Sequence, residues 1–347
     1  MAVFVRSFVC FITVLAIVVL IPTSSGQLTA NFYDKICPKA LPTIRRIVQR
    51  AIQQEARMGA SLLRLHFHDC FVNGCDGSVL LDDTTTFTGE KTARPNLNSL
   101  RGFNVVDEIK TAVNSACKGN VVSCADILVV AARDSVNILG GPQYQVLLGR
   151  LDSLTASLAA ANANLPSPSS NFTELIANFQ SNGFGLQDLV VLSGAHTIGL
   201  ARCVSFRSRI YNDTDINSNF ASELQTKCPD NASLGGNNTA PLDATTDVFD
   251  TVYYRELTRQ MGLLHSDQEL YSCGNQTSTD LVTKYSENQA AFWKDFPVSI
   301  IKMGNMPPAS GNGQVRCNCS IVNNPGITAC PLSTPSVYDA GTSLMSS

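Results

Sequence analysis

The sequence predicts a mainly α-helical protein, and three observations carry that expectation. Apolar residues recur at three- and four-residue spacing in several segments. Strand-like alternation is scarce, and the intervening loops are rich in Asn, Pro and Gly. No repeat period stands out. The 347 residues, 44% of them hydrophobic, suffice for a large core, as one big domain or two small ones. The formal charge is −3 and no run of five Lys or Arg occurs, so no nucleic acid or anionic membrane surface is expected as a partner.

Residues 1–26 hold Arg6, an apolar run from Phe8 to Ile21, then Ser24, Ser25 and Gly26. These are the three parts of a secretory signal peptide, with cleavage expected before Gln27. The run falls short of the about 20 apolar residues that a membrane span needs. Ile44, Ile47, Val48, Ala51 and Ile52 form the first helical face. Residues 60–71 and CADILVVAARDSV (124–136) suit helices. QVLLGR (145–150) is the best strand candidate. Leu175, Ile176 and Phe179 mark a short helix ended by Gly183. LQDLVVLSGAHTI (186–198), DTVYYRELTRQMG (250–262) and the long run from Ser278 to Met303 also suit helices. NANLPSPSSN (162–171) and DNASLGGNNTAPLD (230–243) read as loops, neither a convincing domain linker. After Cys319 the chain turns polar, and 321–347 reads as a C-terminal tail or removable propeptide.

Of twelve cysteines, Cys10 would leave with the signal and eleven remain. In an oxidising compartment disulfides are their expected fate. Eleven is odd, so at least one is free, pairs with another molecule or is removed. Sequons begin at Asn171, Asn212, Asn231, Asn237, Asn275 and Asn318, which fits a secreted glycoprotein.

The densest chemistry lies in RLHFHDCFVNGCDGS (64–78). On a helix, Arg64 and His68 are four residues apart and share a face, with Phe67 beside them. A cation and a neutral imidazole together can move a proton and stabilise a departing oxyanion. His66 points roughly 200° away from His68, which makes the H-x-H pair poor for one metal and leaves His66 a core histidine. Asp69, Asp76 and Ser78, with Val72 and Gly74 between them, form an oxygen-rich loop that suits Ca²⁺. An ordinary disulfide turn with solvated acids reads equally well on spacing alone; Cys70 and Cys75, if paired, would pinch it closed. In DLVVLSGAHTIG (188–199), His196 ends an apolar stretch, as an axial haem ligand or as a core histidine bonded to a carbonyl.

Taken together, these motifs closely resemble class III (secretory plant-type) haem peroxidases. The first stretch resembles that family's distal haem motif and the second, followed by ARC, its proximal motif. QLTANFYDKICP (27–38), GEKTARPNLNSLRGF (89–103), VSCADIL (122–128), LGRLDS (148–153), ANLPSP (163–168), SDQEL (266–270) and MGN (303–305) follow in family order. The resemblance covers about 27–320, read as one haem peroxidase domain. It implies an all-α fold with haem b, one per chain, between distal and proximal helical halves. It implies reduction of H2O2 and one-electron oxidation of phenols such as lignin monomers. His196 would be the iron ligand and Asp267 would accept its ring N–H. His68 would shuttle the proton, Arg64 would stabilise the departing oxygen, and Asn96 would hold the His68 tautomer. Phe67 would crowd the iron and Pro166 would contact substrate. Two Ca²⁺ are implied, a distal one on Asp69, Val72, Gly74, Asp76, Ser78 and Glu90. The proximal one falls on Thr197, Asp243, Thr246 and Asp250. Here the chain departs from the family, because DATTDVFD (243–250) is one residue shorter than the commonest spacing. The implied disulfides are Cys37–Cys117, Cys70–Cys75, Cys124–Cys319 and Cys203–Cys228. Cys273, Cys317 and Cys330 are extra, with Cys330 lost with the tail or one further bridge formed. Asp126 and Arg150 resemble the family's buried structural ion pair.

A monomer is expected, since no large apolar stripe is left over. Location is expected to be extracellular, or vacuolar if the tail is a sorting propeptide. Two rival readings are a haem- and calcium-binding glycoprotein without chemistry, and a zinc hydrolase using the H-x-H pair.

Overall fold

The chain buries its apolar residues in thirteen helices and one small sheet among the described residues. The structure is a computed structural model that describes residues 28–231, 233–324 and 330. The expected signal peptide lies outside the described residues, as does most of the expected tail. In order, the helices are α1 (Ala40–Gln54), α2 (Met58–Asn73), α3 (Phe103–Ala116), α4 (Cys124–Ile138) and α5 (Leu158–Asn164). Then come α6 (Phe172–Ser181), α7 (Leu186–Ser193), α8 (Cys203–Asn212), α9 (Ser218–Lys227) and α10 (Val252–Leu257). The last three are α11 (His265–Ser272), α12 (Gln276–Glu287) and α13 (Gln289–Gly304). The only sheet among the described residues pairs β1 (Leu200–Arg202) antiparallel with β2 (Thr239–Pro241), Ala201 opposite Ala240.

Four sequence expectations are corrected here, the first being the helix expected over 250–262, which spans only Val252–Leu257. QVLLGR forms no strand; only Leu148 bridges back to Thr29. The helix expected over 186–198 ends at Ser193 and tightens into a 3-10 turn, Gly194–Thr197, that carries His196. A Cβ on Gly194 would stand 2.2 Å from the Tyr254 hydroxyl, so the turn closes onto α10 only with glycine there. The long run over 278–303 is broken at Asn288, which leaves helical geometry (φ −135°, ψ 89°) and caps the Ala291 N–H of α13 with its side chain.

α1 turns the predicted face inward, with Ile44, Ile47, Val48, Ala51 and Ile52 buried. α2 and α4 are different: each buries residues on nearly every side, because they pack on one another at the centre of the core. α2 therefore holds its polar residues in an apolar setting, where each needs a partner. A second, smaller core forms around Cys203, Phe206, Ile210, Leu224 and Leu263.

Five disulfides staple the described residues: Cys37–Cys117, Cys70–Cys75, Cys124–Cys319, Cys203–Cys228 and Cys317–Cys330. The fifth is the further bridge left open by the sequence. It ties Cys330 back to the segment after α13, so Cys330 is not a loose end. Cys273 is free and exposed. The buried Asp126 carboxylate accepts from Arg150 Nη1 at 2.9 Å, the Tyr33 hydroxyl at 2.8 Å and the Gly149 N–H at 2.7 Å. Arg150 also donates to the Gly304 carbonyl at 3.0 Å, which joins the N-terminal segment, α4 and α13.

Candidate active site

α2 presents Arg64, Phe67 and His68 together. His68 is 6% exposed, and its Nδ1 lies 2.6 Å from Asn96 Oδ1. The Asn96 amide N–H donates to the Glu90 carbonyl at 2.9 Å. That bond fixes which end of Asn96 faces His68: the oxygen must accept, so His68 carries its proton on Nδ1. Its Nε2 is left as a lone pair. Burial, then the Arg64 charge, hold the His68 pKa well below 6.5. Arg64 donates to the Pro95 carbonyl at 3.0 Å and the Ser99 carbonyl at 3.1 Å. Burial brings its guanidinium down to about 10, still a cation at neutral pH. Phe67 stacks on Phe71 at 4.2 Å and meets the His68 ring edge-on at 5.8 Å.

His196 sits on its 3-10 turn with Nδ1 2.9 Å from Asp267 Oδ1. Asp267 is 2% exposed, in the first turn of α11. The two imidazoles are close enough for His196 to weigh on the charge of His68, and Arg64 bears on both. Each imidazole is thus anchored through Nδ1 by an amide or carboxylate oxygen. Neither Nε2 makes a hydrogen bond among the described residues. An imidazole fixed in this way is a prepared ligand on one side and a prepared base on the other. The donor set fits a haem iron held by one histidine.

Beside His68, Asp69, Asp76, Ser78 and Glu90 are all at most 3% exposed. Burial and the neighbouring acids raise all three carboxyls, Asp69 well above its ordinary value, Asp76 to about 6 and Glu90 to about 7. The Ser78 hydroxyl and one Glu90 oxygen are buried with no partner. Orphaned oxygens around three buried acids are what a hard cation satisfies. Val72 and Gly74 close the loop. Gly74 adopts φ +87°, and a Cβ there would meet the Pro307 carbonyl oxygen at 2.1 Å. The Val72 carbonyl accepts from Asn164 Nδ2 at 2.8 Å, leaving one lone pair free. Arg316, which the sequence reading did not single out, is fully buried behind this loop. It donates to the Gly77 carbonyl, while its backbone N–H bonds Asp152 at 2.8 Å. Nothing local marks Arg316 beyond its place beside Cys317.

Next to His196, the Thr197 hydroxyl lies 2.8 Å from Asp243 and 3.1 Å from Asp250, with its single proton to give to one of them. Thr245 also turns its hydroxyl to Asp250, at 3.2 Å. Thr246 does not join through its side chain; its carbonyl accepts the Gly199 N–H at 2.8 Å. The loop shortened by one residue brings Thr245 round to the acids, and counting back from Asp250 instead of forward from Asp243 would have found it. Pro166 is half-buried in the loop after α5, near the Pro168 carbonyl that accepts the Ser266 N–H at 3.0 Å.

His66 faces elsewhere, with Nδ1 3.4 Å from Cys70 Sγ. His66, Cys70 and Cys75 lie together, but their sulfurs are spent in a disulfide. Burial lowers the His66 pKa to about 3. It is a neutral core histidine, and the zinc-hydrolase reading has no ligand set here.

The peroxidase family model matches residues 44–288. Peroxidase RIP1 of Medicago truncatula is 60% identical over 315 residues, 90% of this chain and 96% of its own length. Peroxidase 4 of Vitis vinifera is 57% identical over 303 residues, 87% and 94% of the two chains. Peroxidase P7 of Brassica rapa subsp. rapa is 53% identical over 299 residues, 86% of this chain and all of its own. With both anchored imidazoles in place, the chain belongs to the class III plant peroxidases, enzymes that use H2O2 as oxidant.

Proposed function

We propose that this peroxidase is a secreted monomer that holds one haem b between His196 and the Arg64–His68 pair, with two Ca²⁺, and oxidises small phenols. The observation that carries the reading is the pair of imidazoles, each locked through Nδ1 and free of a hydrogen bond at Nε2 among the described residues.

Haem, when bound, supplies the iron at which the O–O bond of peroxide breaks and the oxidising equivalents that donors then consume. The protein's part is proton movement and charge. His68 Nε2 takes the proton from the near peroxide oxygen and returns it to the far one, which leaves as water. The Arg64 guanidinium, pinned by the Pro95 and Ser99 carbonyls, faces the charge that develops on the departing oxygen. Asp267 draws on the His196 N–H and makes the ring a stronger donor. Phe67, edge-on to His68, would crowd the iron, so phenols would give electrons at the haem edge, where Pro166 would touch them. The distal Ca²⁺ would take Asp69, Asp76 and Ser78, the Val72 and Gly74 carbonyls, and Glu90 through water. The proximal ion would take Thr197, Asp243 and Asp250, with the Thr245 hydroxyl and the Thr246 backbone. No described helix is long and apolar enough to cross a membrane. Export rests on the apolar N-terminal run, and of the 321–347 tail the part beyond Cys330, which the Cys317–Cys330 bridge does not hold, is proposed as a sorting or removable segment.

The test is the absorption spectrum of the purified enzyme, mixed rapidly with H2O2 and then with guaiacol. A Soret band that falls and recovers supports the reading; one unmoved by peroxide overturns it. A second expectation follows from the depressed His68 pKa. His68 stays neutral, and therefore a competent base, until the pH falls well below 6.5. The acid limb of kcat/KM for H2O2 therefore lies well below pH 6.5. In Arg64→Leu, which removes the neighbouring cation, that limb moves up towards 6.5 while the rate falls by about 10²–10³. An acid limb already at 6.5 in the wild type would contradict it.

A further inference from the structure

Asp267 holds more than His196. The Tyr253 hydroxyl lies 3.0 Å from Asp267 Oδ1, the same oxygen that accepts His196 Nδ1–H at 2.9 Å. A carboxylate only accepts, so the phenol donates. The other carboxylate oxygen, Oδ2, is buried with no partner. Both donors thus crowd one oxygen while its twin stands free. We propose that Tyr253 is a positioning residue for the proximal histidine, whose shared hydrogen bond to Asp267 Oδ1 limits how much negative charge reaches His196.

The arrangement is built in. Tyr253 is 1% exposed, in the first turn of α10, a helix that packs on the turn bearing His196. Its ring stands edge-on to His196, centroids 6.2 Å apart and planes at 81°. The helix start is fixed by Asp250, which accepts the Val252 N–H at 2.7 Å, and the next side chain, Tyr254, donates to the Val190 carbonyl at 3.0 Å. Tyr253 therefore has little freedom to swing away. A hydrogen bond to a charged acceptor is stronger than a neutral one and withdraws charge from it. Two donors on one oxygen compete, so the Tyr253 bond weakens the pull of Asp267 on the His196 N–H. Less anionic character on His196 favours Fe(II) relative to Fe(III).

The proposal rests on His196 being the iron ligand, and the test separates the two. It uses haem-loaded Tyr253→Phe, which keeps the ring and removes only the hydroxyl. The readouts are the Fe(III)/Fe(II) midpoint potential and the iron–histidine stretch of the ferrous enzyme by resonance Raman. Removing the donor is expected to lower the potential, by roughly a threefold to tenfold shift towards the ferric form, tenfold being 59 mV for one electron. The stretch is expected to move to higher frequency. An unchanged potential and stretch, or shifts of opposite sign, overturn the role of Tyr253. If the wild-type enzyme lacks an iron–histidine stretch, the reading of His196 falls instead. Should Tyr253→Phe not fold, Tyr253→Leu removes the same donor and is judged by the same signs.

Discussion

Replacing His68 by alanine is expected to lower kcat/KM for H2O2 by about two to four orders of magnitude, the range of a positioned general acid–base. The same histidine takes the proton from one oxygen and delivers it to the other, so no second group remains to do half the work. Arg64 cannot substitute, because its guanidinium is a cation at working pH and already donates to Pro95 and Ser99. The haem spectrum of the variant should persist, since His196 and Asp267 are untouched. Stopped-flow mixing with peroxide checks this directly. A loss of less than tenfold would mean that water or another side chain handles the proton, and the role given to His68 would fail.

The distal half of this site was legible in the sequence because it is local. Arg64, Phe67 and His68 fall within one helical turn and a half, and Asp69 to Ser78 follow without interruption, so spacing alone put them together. His196 stood out as a lone imidazole ending an apolar stretch, but that pattern suits a core histidine equally, and its role came with the resemblance. Partners recruited from far away were less so. Asn96, Glu90 and Asp267 entered only through the resemblance, because nothing in their own neighbourhoods says that they meet a histidine. Tyr253 and Arg316 carried no signal at all: their partners, Asp267 and His196 for the one and Gly77 and Asp152 for the other, are not local neighbours in the sequence. The same physics explains the fold. Helical periodicity revealed α1, α4 and α7, whereas β1 and β2 are three residues each and show no alternation to read. The break at Asn288 was hidden because both flanking segments are good helix and the stop is a single side-chain cap. In the short 243–250 loop the hydroxyl that meets the two acids is that of Thr245, not of Thr246, because one residue fewer separates the acids than in the spacing the resemblance carries.

Removing the distal cation is expected to destabilise the enzyme, and to do so more as the pH rises. Asp69, Asp76 and Glu90 have folded pKa values above their ordinary ones, with Asp76 at about 6 and Glu90 at about 7 in the cation-free protein. A carboxyl raised on folding contributes fully only below its ordinary value, and its contribution is lost as the pH climbs from there through the folded value. The stripped protein therefore loses stability from about pH 4 to about pH 8, as three buried acids are forced to ionise side by side. With Ca²⁺ bound the order reverses. Protons and metal compete for the same oxygens, so rising pH strengthens binding, and an ion at 100 times its Kd contributes about 2.7 kcal/mol. The gap in Tm between Ca²⁺-loaded and chelator-treated enzyme should widen steadily across that range. A gap that is constant or narrows with pH would mean that these acids do not hold the ion. The loss should also reach the chemistry. Glu90 turns its buried side chain towards the proposed cation loop and gives its carbonyl to Asn96, and Asn96 sets the His68 proton on Nδ1. A loosened Glu90 leaves Asn96 free to turn its N–H towards His68, which would invert the tautomer and remove the Nε2 lone pair that takes the peroxide proton. Chelation should therefore slow the peroxide step more than it slows phenol oxidation, and a uniform loss of both would place the cation's effect in stability alone.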